Sequence, residues 1–252
     1  MKRVLIVIIS IVFTLFVNAN EIYNQKIDSA ATYYSNAKFE KAIEVYEQIL
    51  ADDYESAELY YNLGNAYFKS NKIALSIVNY ERAKKLLPSD EDIEFNLSLA
   101  NTHVVDKIDV VPEFFLSSWW SRFIQLLTSN EWGYISLFAF VVGLILLLFF
   151  FLSHKVLTRK LSFWIAIILI ISSLFSFSFS KKQMWIAQNE PDAIILTPSV
   201  IVRSAPSEGG TELFLIHEGL KVKVTDKLGD WREVRLSDGN KGWIKEIDVL
   251  VI

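Results

Sequence analysis

Two long apolar runs in the middle of the chain dominate its hydrophobic pattern. Residues 132–152 and 161–179 contain no charged side chain, and each run, at 1.5 Å per helical residue, is long enough to cross a hydrocarbon core of about 30 Å. The segment between them carries the cations Lys155, Arg159 and Lys160. The pattern predicts a transmembrane hairpin whose loop, 153–160, lies in the cytoplasm, because cationic loops are retained on that side.

The N-terminus has the layout of a secretory signal peptide. Lys2 and Arg3 precede an apolar run, Val4–Val17, and a cleavage position follows Ala19. An uncleaved anchor is the alternative, but this run falls short of the roughly 18–20 residues that a span needs. We therefore predict a signal peptide at residues 1–19. Both regions that flank the hairpin are then expected outside the cytoplasm, in the periplasm.

An amphipathic pattern precedes the first apolar run, at residues 113–130. Its large apolar residues recur at helical spacing: Leu116, Trp120, Phe123 and Leu127. Serine, arginine and glutamine occupy positions between them. A helix of this kind lies in the plane of the membrane interface, with its tryptophans at the level of the headgroups. The pattern predicts such an interfacial helix.

Small residues recur four positions apart in both apolar runs. The first run has Ala139 and Gly143, and the second has Ser172, Ser176 and Ser180. Small residues let two helix backbones approach closely in a membrane. Two interpretations stay open: a tightly packed hairpin, or serines that a span merely tolerates.

A period of 34 residues marks the region before the membrane segment. Residues 23–56 align with residues 57–90, so that Tyr46 matches Tyr80. The period resembles that of the tetratricopeptide repeat, whose units are pairs of antiparallel helices. A third unit stops after its first helix. The resemblance predicts an all-α repeat domain over residues 21–104.

The resemblance also implies a binding surface. Repeats of this kind hold a peptide or protein segment on the concave face that the first helix of each pair lines. By position, the residues on that face are Glu58, Tyr61, Asn62, Asn65, Phe95, Asn96 and Leu99. The amides of Asn62 and Asn65 have the donors and acceptors that an extended peptide backbone needs. The alternative is that Asn62 and Asn96 are solvated helix residues.

From residue 193 the pattern changes to short alternating segments divided by turns. Five of them are predicted strands: Ala193–Leu196, Val200–Arg203, Lys221–Val224, Trp231–Leu236 and Gly242–Ile244. The turn at 237–240 contains the Asp-Gly pair that is typical of a hairpin. Five short strands in about 60 residues indicate a small all-β barrel.

The order of motifs in residues 192–252 resembles the bacterial SH3 domain. The matching stretches are VRSAPS, GDW and DGNKGWI. The resemblance implies a module that binds peptidoglycan, a cell-wall peptide or a partner domain. Trp231 and Trp243 are expected to lie partly in the core of this module. The alternative makes one of them a wall of a peptide groove.

Composition removes several classes of function. The chain has no cysteine, and its three histidines are far apart in the sequence, so it has neither a local metal motif nor a cysteine nucleophile. Nucleotide-binding and hydrolase motifs are absent as well, which argues against an enzyme and predicts no cofactor. A net charge of −4 without a basic stripe argues against nucleic acid as a partner.

The order of these parts resembles the BatE-type proteins of the Bacteroidetes aerotolerance operon. The likeness covers nearly the whole chain, from signal peptide to SH3-like domain, and includes the segments NLGNAYF and VRSAPS. It implies a multi-domain scaffold in the bacterial inner membrane, acting with von Willebrand-type and ATPase partners. We therefore expect protein–protein interaction within a stress-related membrane complex. A wall-binding protein anchored in the same membrane is the alternative.

Overall fold

The computed structural model describes residues 23–108, 115–189 and 191–252. These residues form a helical repeat domain, a long helical hairpin with a short helix before it, and a C-terminal antiparallel sheet. The predicted fold class is confirmed. The predicted signal peptide, 1–19, lies outside the described residues, and so does the start of the predicted interfacial segment.

Five helices of the described residues make up the repeat domain. They are α1 (residues 23–35), α2 (Phe39–Ala51), α3 (Ala57–Lys69), α4 (Ile73–Leu86) and α5 (Glu91–Asn101). The Ser56 hydroxyl begins α3 by accepting a hydrogen bond from the Leu59 N–H at 3.1 Å. The Asp90 carboxylate caps α5 in the same way: it accepts a hydrogen bond from the Ile93 N–H at 3.0 Å. Such caps satisfy amides that have no partner inside the helix.

The two helices of the second repeat unit touch at Gly64. A Cβ atom there would lie 2.7 Å from two ring carbons of Tyr80. The Ser76 hydroxyl donates to the Gly64 carbonyl at 2.9 Å. Tyr46 and Tyr80 are fully buried. Small residues therefore allow the backbones to approach, and tyrosines fill the seam beside them.

Two long apolar helices follow, and both could span a membrane. α6 (Phe115–Gln125) leads into α7 (Ser129–Leu152), and α8 (Val156–Asn189) returns along it. The predicted loop, 153–160, is mostly helix, because α8 already begins at Val156. α8 also continues beyond residue 179. No glycine or proline interrupts residues 156–189, so nothing in the sequence stops the helix earlier.

The hairpin packs through small residues that repeat every seven positions. They pair α7 with α8 in three layers: Ser129 with Ser180, Ser136 with Ser173, and Gly143 with Ala166. The Ser136 and Ser173 hydroxyls each donate to the carbonyl of the other residue at 2.9 Å. A seven-residue repeat keeps one seam aligned along two wound helices, and small side chains let the backbones approach.

This seam differs in part from the predicted one. Ala139, Gly143 and Ser176 are buried, but Ser172 is exposed and Ser173 takes its place. A set spaced by four residues drifts around the helix, whereas the contact follows the seven-residue repeat. Of the two interpretations that the sequence left open, the structure supports the tightly packed hairpin.

Seven antiparallel strands form the C-terminal sheet domain, residues 191–252. They are β1 (Asp192–Ile195), β2 (Ser199–Arg203), β3 (Glu212–His217), β4 (Lys221–Leu228), β5 (Trp231–Arg235), β6 (Lys241–Lys245) and β7 (Val249–Val251). Their order across the sheet is β3-β2-β6-β5-β4-β1-β7. The predicted turn closes the hairpin of β5 and β6, where the Leu236 N–H donates to the Asn240 carbonyl at 2.8 Å.

Two strands were not predicted, and both lie at an edge of the sheet. β3 carries Leu213 and Leu215 on its exposed face and Ile216 on its buried face, so apolar residues on both faces hide the alternation that identifies a strand. β7 has only three residues, which is too short for a pattern.

One hydrophobic core continues from the repeat domain into the sheet domain. Ile77 of α4 and Leu97 of α5 are buried in the same cluster as Ile194 of β1. At Gly219, where φ is +83°, a Cβ atom would lie 3.0 Å from Val104 and 3.3 Å from Ile77. The sheet domain therefore covers the apolar faces of α4 and α5 that a further repeat helix would otherwise cover.

Ion pairs and hydrogen bonds surround this contact. The Lys221 ammonium lies 2.8 Å from Glu81 of α4 and 3.0 Å from Asp192. The Asp106 carboxylate accepts a hydrogen bond from the His217 N–H at 2.6 Å, and its other oxygen lies 2.8 Å from His217 Nδ1. Burial opposes the charge of Lys221, but the two carboxylates outweigh it, so the pKa of Lys221 lies above its ordinary value. Lys221 is thus a charged bridge between the domains.

Candidate binding surfaces

The predicted groove residues lie on α3 and α5, the first helices of the second and third repeat units. They differ in accessibility. Phe95 is 68 % exposed and Leu99 is 41 % exposed, and Glu58 is exposed as well. The remaining four are half-buried: Tyr61, Asn62, Asn65 and Asn96. We name the surface that α1, α3 and α5 line the concave groove.

Three of the half-buried residues form a hydrogen-bond network with Tyr80 of α4. The Asn96 amide donates to the Tyr61 hydroxyl at 2.7 Å and to Asn65 Oδ1 at 3.1 Å. The Tyr80 hydroxyl donates to the same Asn65 oxygen at 2.7 Å. The network ties α3, α4 and α5 together. Asn96 is therefore not the solvated residue of the alternative interpretation, because its amide stabilises the helix contact.

Asn65 and Asn96 each keep one polar side-chain atom available for a ligand. Asn65 Nδ2 and Asn96 Oδ1 have no hydrogen-bond partner among the described residues, and neither atom is fully buried. Together they present one donor and one acceptor. An extended backbone offers one acceptor and one donor per residue, so the pair is suited to hold a peptide unit.

Aromatic residues that the sequence interpretation missed extend the groove. Tyr34 of α1 and Phe68 of α3 are half-buried. Burial, and then the nearby Tyr61, raise the pKa of Tyr34. The Phe68 ring meets the His103 ring edge-on, with centroids 5.4 Å apart. The signal was present in the sequence, because Tyr34 and Phe68 are separated by one repeat period.

Carboxylates stand at one end of the groove. Glu58 and Asp92 occupy equivalent positions of the second and third units, and both are exposed in the first turns of their helices. Lys69 is exposed in the last turn of α3, at the other end. The groove is therefore acidic where α3 and α5 begin and basic where α3 ends.

Trp231 and Trp243 lie on the outer face of the sheet domain. Both are half-buried, and they alternate along β5 and β6 with Val234 and Ile244, which are fully buried. Neither tryptophan belongs to a hydrophobic core cluster of the described residues, so their position fits the groove-wall interpretation better than the core interpretation. Successive side chains of a strand point to opposite faces, and Val234 and Ile244 occupy the inner one.

Charged side chains surround the two tryptophans. Trp243 stands opposite Glu233 on β5 and Arg203 on β2, and Trp231 stands opposite Lys245. Glu233 and Lys245 each pair with a further charged side chain, at 3.3 Å and 2.5 Å respectively. The outer face of β5 and β6 is therefore an aromatic surface set among ion pairs, a composition that suits sugar rings or a polar peptide.

The described residues offer no candidate metal site. They hold no group of three or more histidine, aspartate or glutamate side chains that could bind a metal together. A hollow of about 390 Å³ lies along the hairpin, and Phe123, Trp132, Ile168 and Phe179 are among the residues that line it. Its lining is mostly apolar, so it suits a lipid chain better than a charged ligand.

Comparisons with known families agree with this division of the chain. A family model described as TPR repeat matches residues 30–71, and one described as tetratricopeptide repeat matches residues 57–90. A model described as bacterial SH3 domain matches residues 198–246. No curated protein matches the chain significantly. The predicted domain content is confirmed: repeats associated with protein–protein interaction accompany a domain associated with cell-wall binding.

Proposed function

We propose that the chain is a membrane-anchored scaffold that holds a segment of a partner protein in the concave groove. The observation that carries this proposal is the exposure of Phe95 and Leu99 on the same helix as the available side-chain oxygen of Asn96, Oδ1. An exposed aromatic side chain on a rigid helix is typical of the few residues that dominate an interface. The apolar pair supplies affinity, and the amides of Asn65 and Asn96 fix the register of the bound segment.

The charges of the groove support a partner segment with a cationic end. Glu58 and Asp92 stand where α3 and α5 begin, and Lys69 stands at the opposite end. Complementary charges of this kind select the orientation of a bound segment and exclude wrong partners more than they add affinity. The segment is therefore apolar in its middle and basic at the end that meets Glu58.

The placement of the two soluble domains supports a scaffold on one side of the membrane. α7 begins and α8 ends at the same end of the hairpin, where the Ser129 hydroxyl donates to the Ser180 carbonyl at 3.1 Å. Cations at the other end favour the cytoplasm, and the first residues of the chain have the layout of an export signal. These features support a periplasmic position for both domains, anchored in the inner membrane.

Reporter fusions test this topology. A reporter that is active only in the periplasm is expected to work after Ile252 and to fail after Thr158. Activity after Thr158 would invert the topology and remove the groove from the periplasm.

The nature of the partner is proposed by resemblance. The order of repeats, hairpin and sheet domain resembles that of the BatE-type proteins. Von Willebrand-type and ATPase proteins of an aerotolerance operon are accordingly the partners to try first, within a stress-related membrane complex.

The groove is tested by co-purification of the tagged full-length protein with these partners. Phe95→Asp combined with Leu99→Asp removes the apolar pair at exposed positions, where substitutions usually change stability by less than about 0.5 kcal/mol. We expect the variant to retain less than about one tenth of the partner. The matched control is Leu215→Asp, at an exposed position of β3, which should capture the partner normally. Equal capture by the groove variant and the parent would refute the proposal.

A second function, binding to peptidoglycan, is supported by the outward position of Trp231 and Trp243. The sheet domain shares its core with the repeats, so the test uses the full-length protein. Wall binding predicts co-sedimentation with purified peptidoglycan that Trp231→Ala combined with Trp243→Ala abolishes and the groove variant leaves intact. A parent protein that stays in the supernatant excludes this function.

A further inference from the structure

The turn between α4 and α5 exposes two leucines that the repeat structure does not require. Leu86 is 45 % exposed and Leu87 is 47 % exposed. One repeat period earlier, at the end of α2, the equivalent residues are Asp52 and Asp53. The two turns occupy the same place in their units, so the repeat fold accepts aspartate at these positions as readily as leucine. The leucines of the second unit need another explanation.

This turn lies next to the point where the chain enters the hairpin. The Ser89 hydroxyl donates to the Leu126 carbonyl at 3.2 Å. The next carbonyl, of Leu127, accepts a hydrogen bond from the Gln183 amide of α8 at 3.0 Å. α7 then begins at Ser129. The turn is consequently at the level where the two apolar helices leave the hydrocarbon.

The neighbouring surface of α6 is apolar in the same way. Trp119, Trp120 and Phe123 are exposed on this helix, and Leu126 is exposed just beyond its end. Tryptophan is enriched at the headgroup level of membranes, where an apolar ring with a polar tip is stable. The exposed apolar surface therefore continues from α6 through Leu126 to the turn.

We propose that the α4–α5 turn inserts Leu86 and Leu87 into the headgroup region of the bilayer and so seats the repeat domain on the membrane surface. The proposal rests on the membrane anchoring proposed above. Lipid is the occupant that this position favours, because the same level of the molecule already presents α6 to the interface. The hydrophobic effect stabilises each leucine that leaves water.

Seating the turn on the bilayer sets the direction of the concave groove. α4 runs antiparallel to α3 and α5, so both of these helices begin at the end where α4 stops. Glu58 and Asp92 then face the bilayer, and the turns at Ala37 and Asn71 point away from it. A partner segment enters with its cationic end toward the membrane.

The lack of native cysteine allows a direct test with single labels. Leu86→Cys, Lys69→Cys and Phe138→Cys are made separately in the full-length protein, labelled with the fluorophore NBD and placed in phospholipid nanodiscs that contain nitroxide-bearing lipids. Lys69 is exposed in the last turn of α3, at the end of the repeat domain that points away from the bilayer. Phe138 is exposed on α7 and reports insertion of the hairpin. The melting temperature of each labelled protein shows that it is folded.

We expect nitroxide lipids to reduce the emission at position 86 at least about twofold, as at position 138, and to leave position 69 unchanged. Quenching at 86 no greater than at 69, with 138 quenched, overturns the proposal while the anchoring stands. A blue-shifted but unquenched label at 86 also overturns it, because a protein surface then covers the turn. No quenching at 138 contradicts the anchoring itself and the proposal with it.

Discussion

Gly64 permits a close contact between α3 and α4, because a Cβ atom there would lie 2.7 Å from the Tyr80 ring. We predict that Gly64→Ala displaces Tyr80 and weakens its hydrogen bond to Asn65, at a cost of about 1–3 kcal/mol. Gly209→Ala is the matched control, since no atom lies within 4 Å of a Cβ at that position. Circular dichroism of the full-length protein should show a lower melting temperature for the first variant alone. Equal melting temperatures for the two would disprove this.

Buried tyrosines set an alkaline limit to the repeat domain. Burial raises the pKa of Tyr46 to about 12, and burial with a hydrogen bond to the Glu55 carboxylate raises the pKa of Tyr60 to about 12. An unfolded tyrosine titrates near about pH 10. Between these values only the unfolded state loses the proton, so the stability that is complete below about pH 10 is lost as the pH rises to about 12.

We therefore expect the melting temperature of the full-length protein to fall between about pH 10 and pH 12. Tyr46→Phe combined with Tyr60→Phe should make this fall smaller. A double variant that follows the same pH curve as the parent would show that other groups set the alkaline limit.

The sequence predicted where the groove residues lie but not which of them are already bonded. The repeat period placed Asn65 and Asn96 on the concave groove. Their bonds to Tyr61 and Tyr80 depend on distances between three helices, which a period does not specify. Asn62 differs: it is half-buried and its side chain makes no hydrogen bond among the described residues, so it stays a candidate for binding.

At the scale of elements, the contact between α7 and α8 follows the small residues that recur every seven positions in the sequence. The sequence interpretation chose the four-residue spacing, because both spacings occur in the same helices and only the partner helix decides between them. The edge strand β3 was missed for a related reason. The exposed face of β3, with Leu213 and Leu215, is as apolar as its buried face. The alternation of apolar and polar residues that identifies a strand is therefore missing there.

The seam makes a prediction about register. The hydroxyls of Ser129 and Ser180 are 3.3 Å apart, which is close enough for cysteines at these positions to form a disulfide with little movement. We expect Ser129→Cys with Ser180→Cys to oxidise rapidly in membranes and to shift on a non-reducing gel. Ser129→Cys with Ser178→Cys is the control, because Ser178 is exposed and bonds within its own helix. Faster oxidation of the control pair would place the seam elsewhere.

At the scale of the whole molecule, the shared core of the repeat and sheet domains could not be predicted from the sequence. The apolar positions of α4 fit the repeat pattern, which assigns them to the next helix pair. Among the described residues α5 is the only helix of that next pair, and the sheet domain covers the remaining face through Gly219, which packs against Val104. The two soluble domains are therefore one body, which suits a scaffold better than two modules on a flexible link.

The distance between the two domains tests this account most directly. Glu44→Cys on α2 and Ser237→Cys on the turn between β5 and β6 place spin labels at exposed positions, for pulsed electron paramagnetic resonance of the full-length protein in nanodiscs. If the two domains form one body, the measurement gives one narrow distance distribution. Ile77→Asp, which puts a charge into the shared core, should broaden it while each domain keeps its secondary structure. A broad distribution in the parent, unchanged by Ile77→Asp, would show that the two domains move independently.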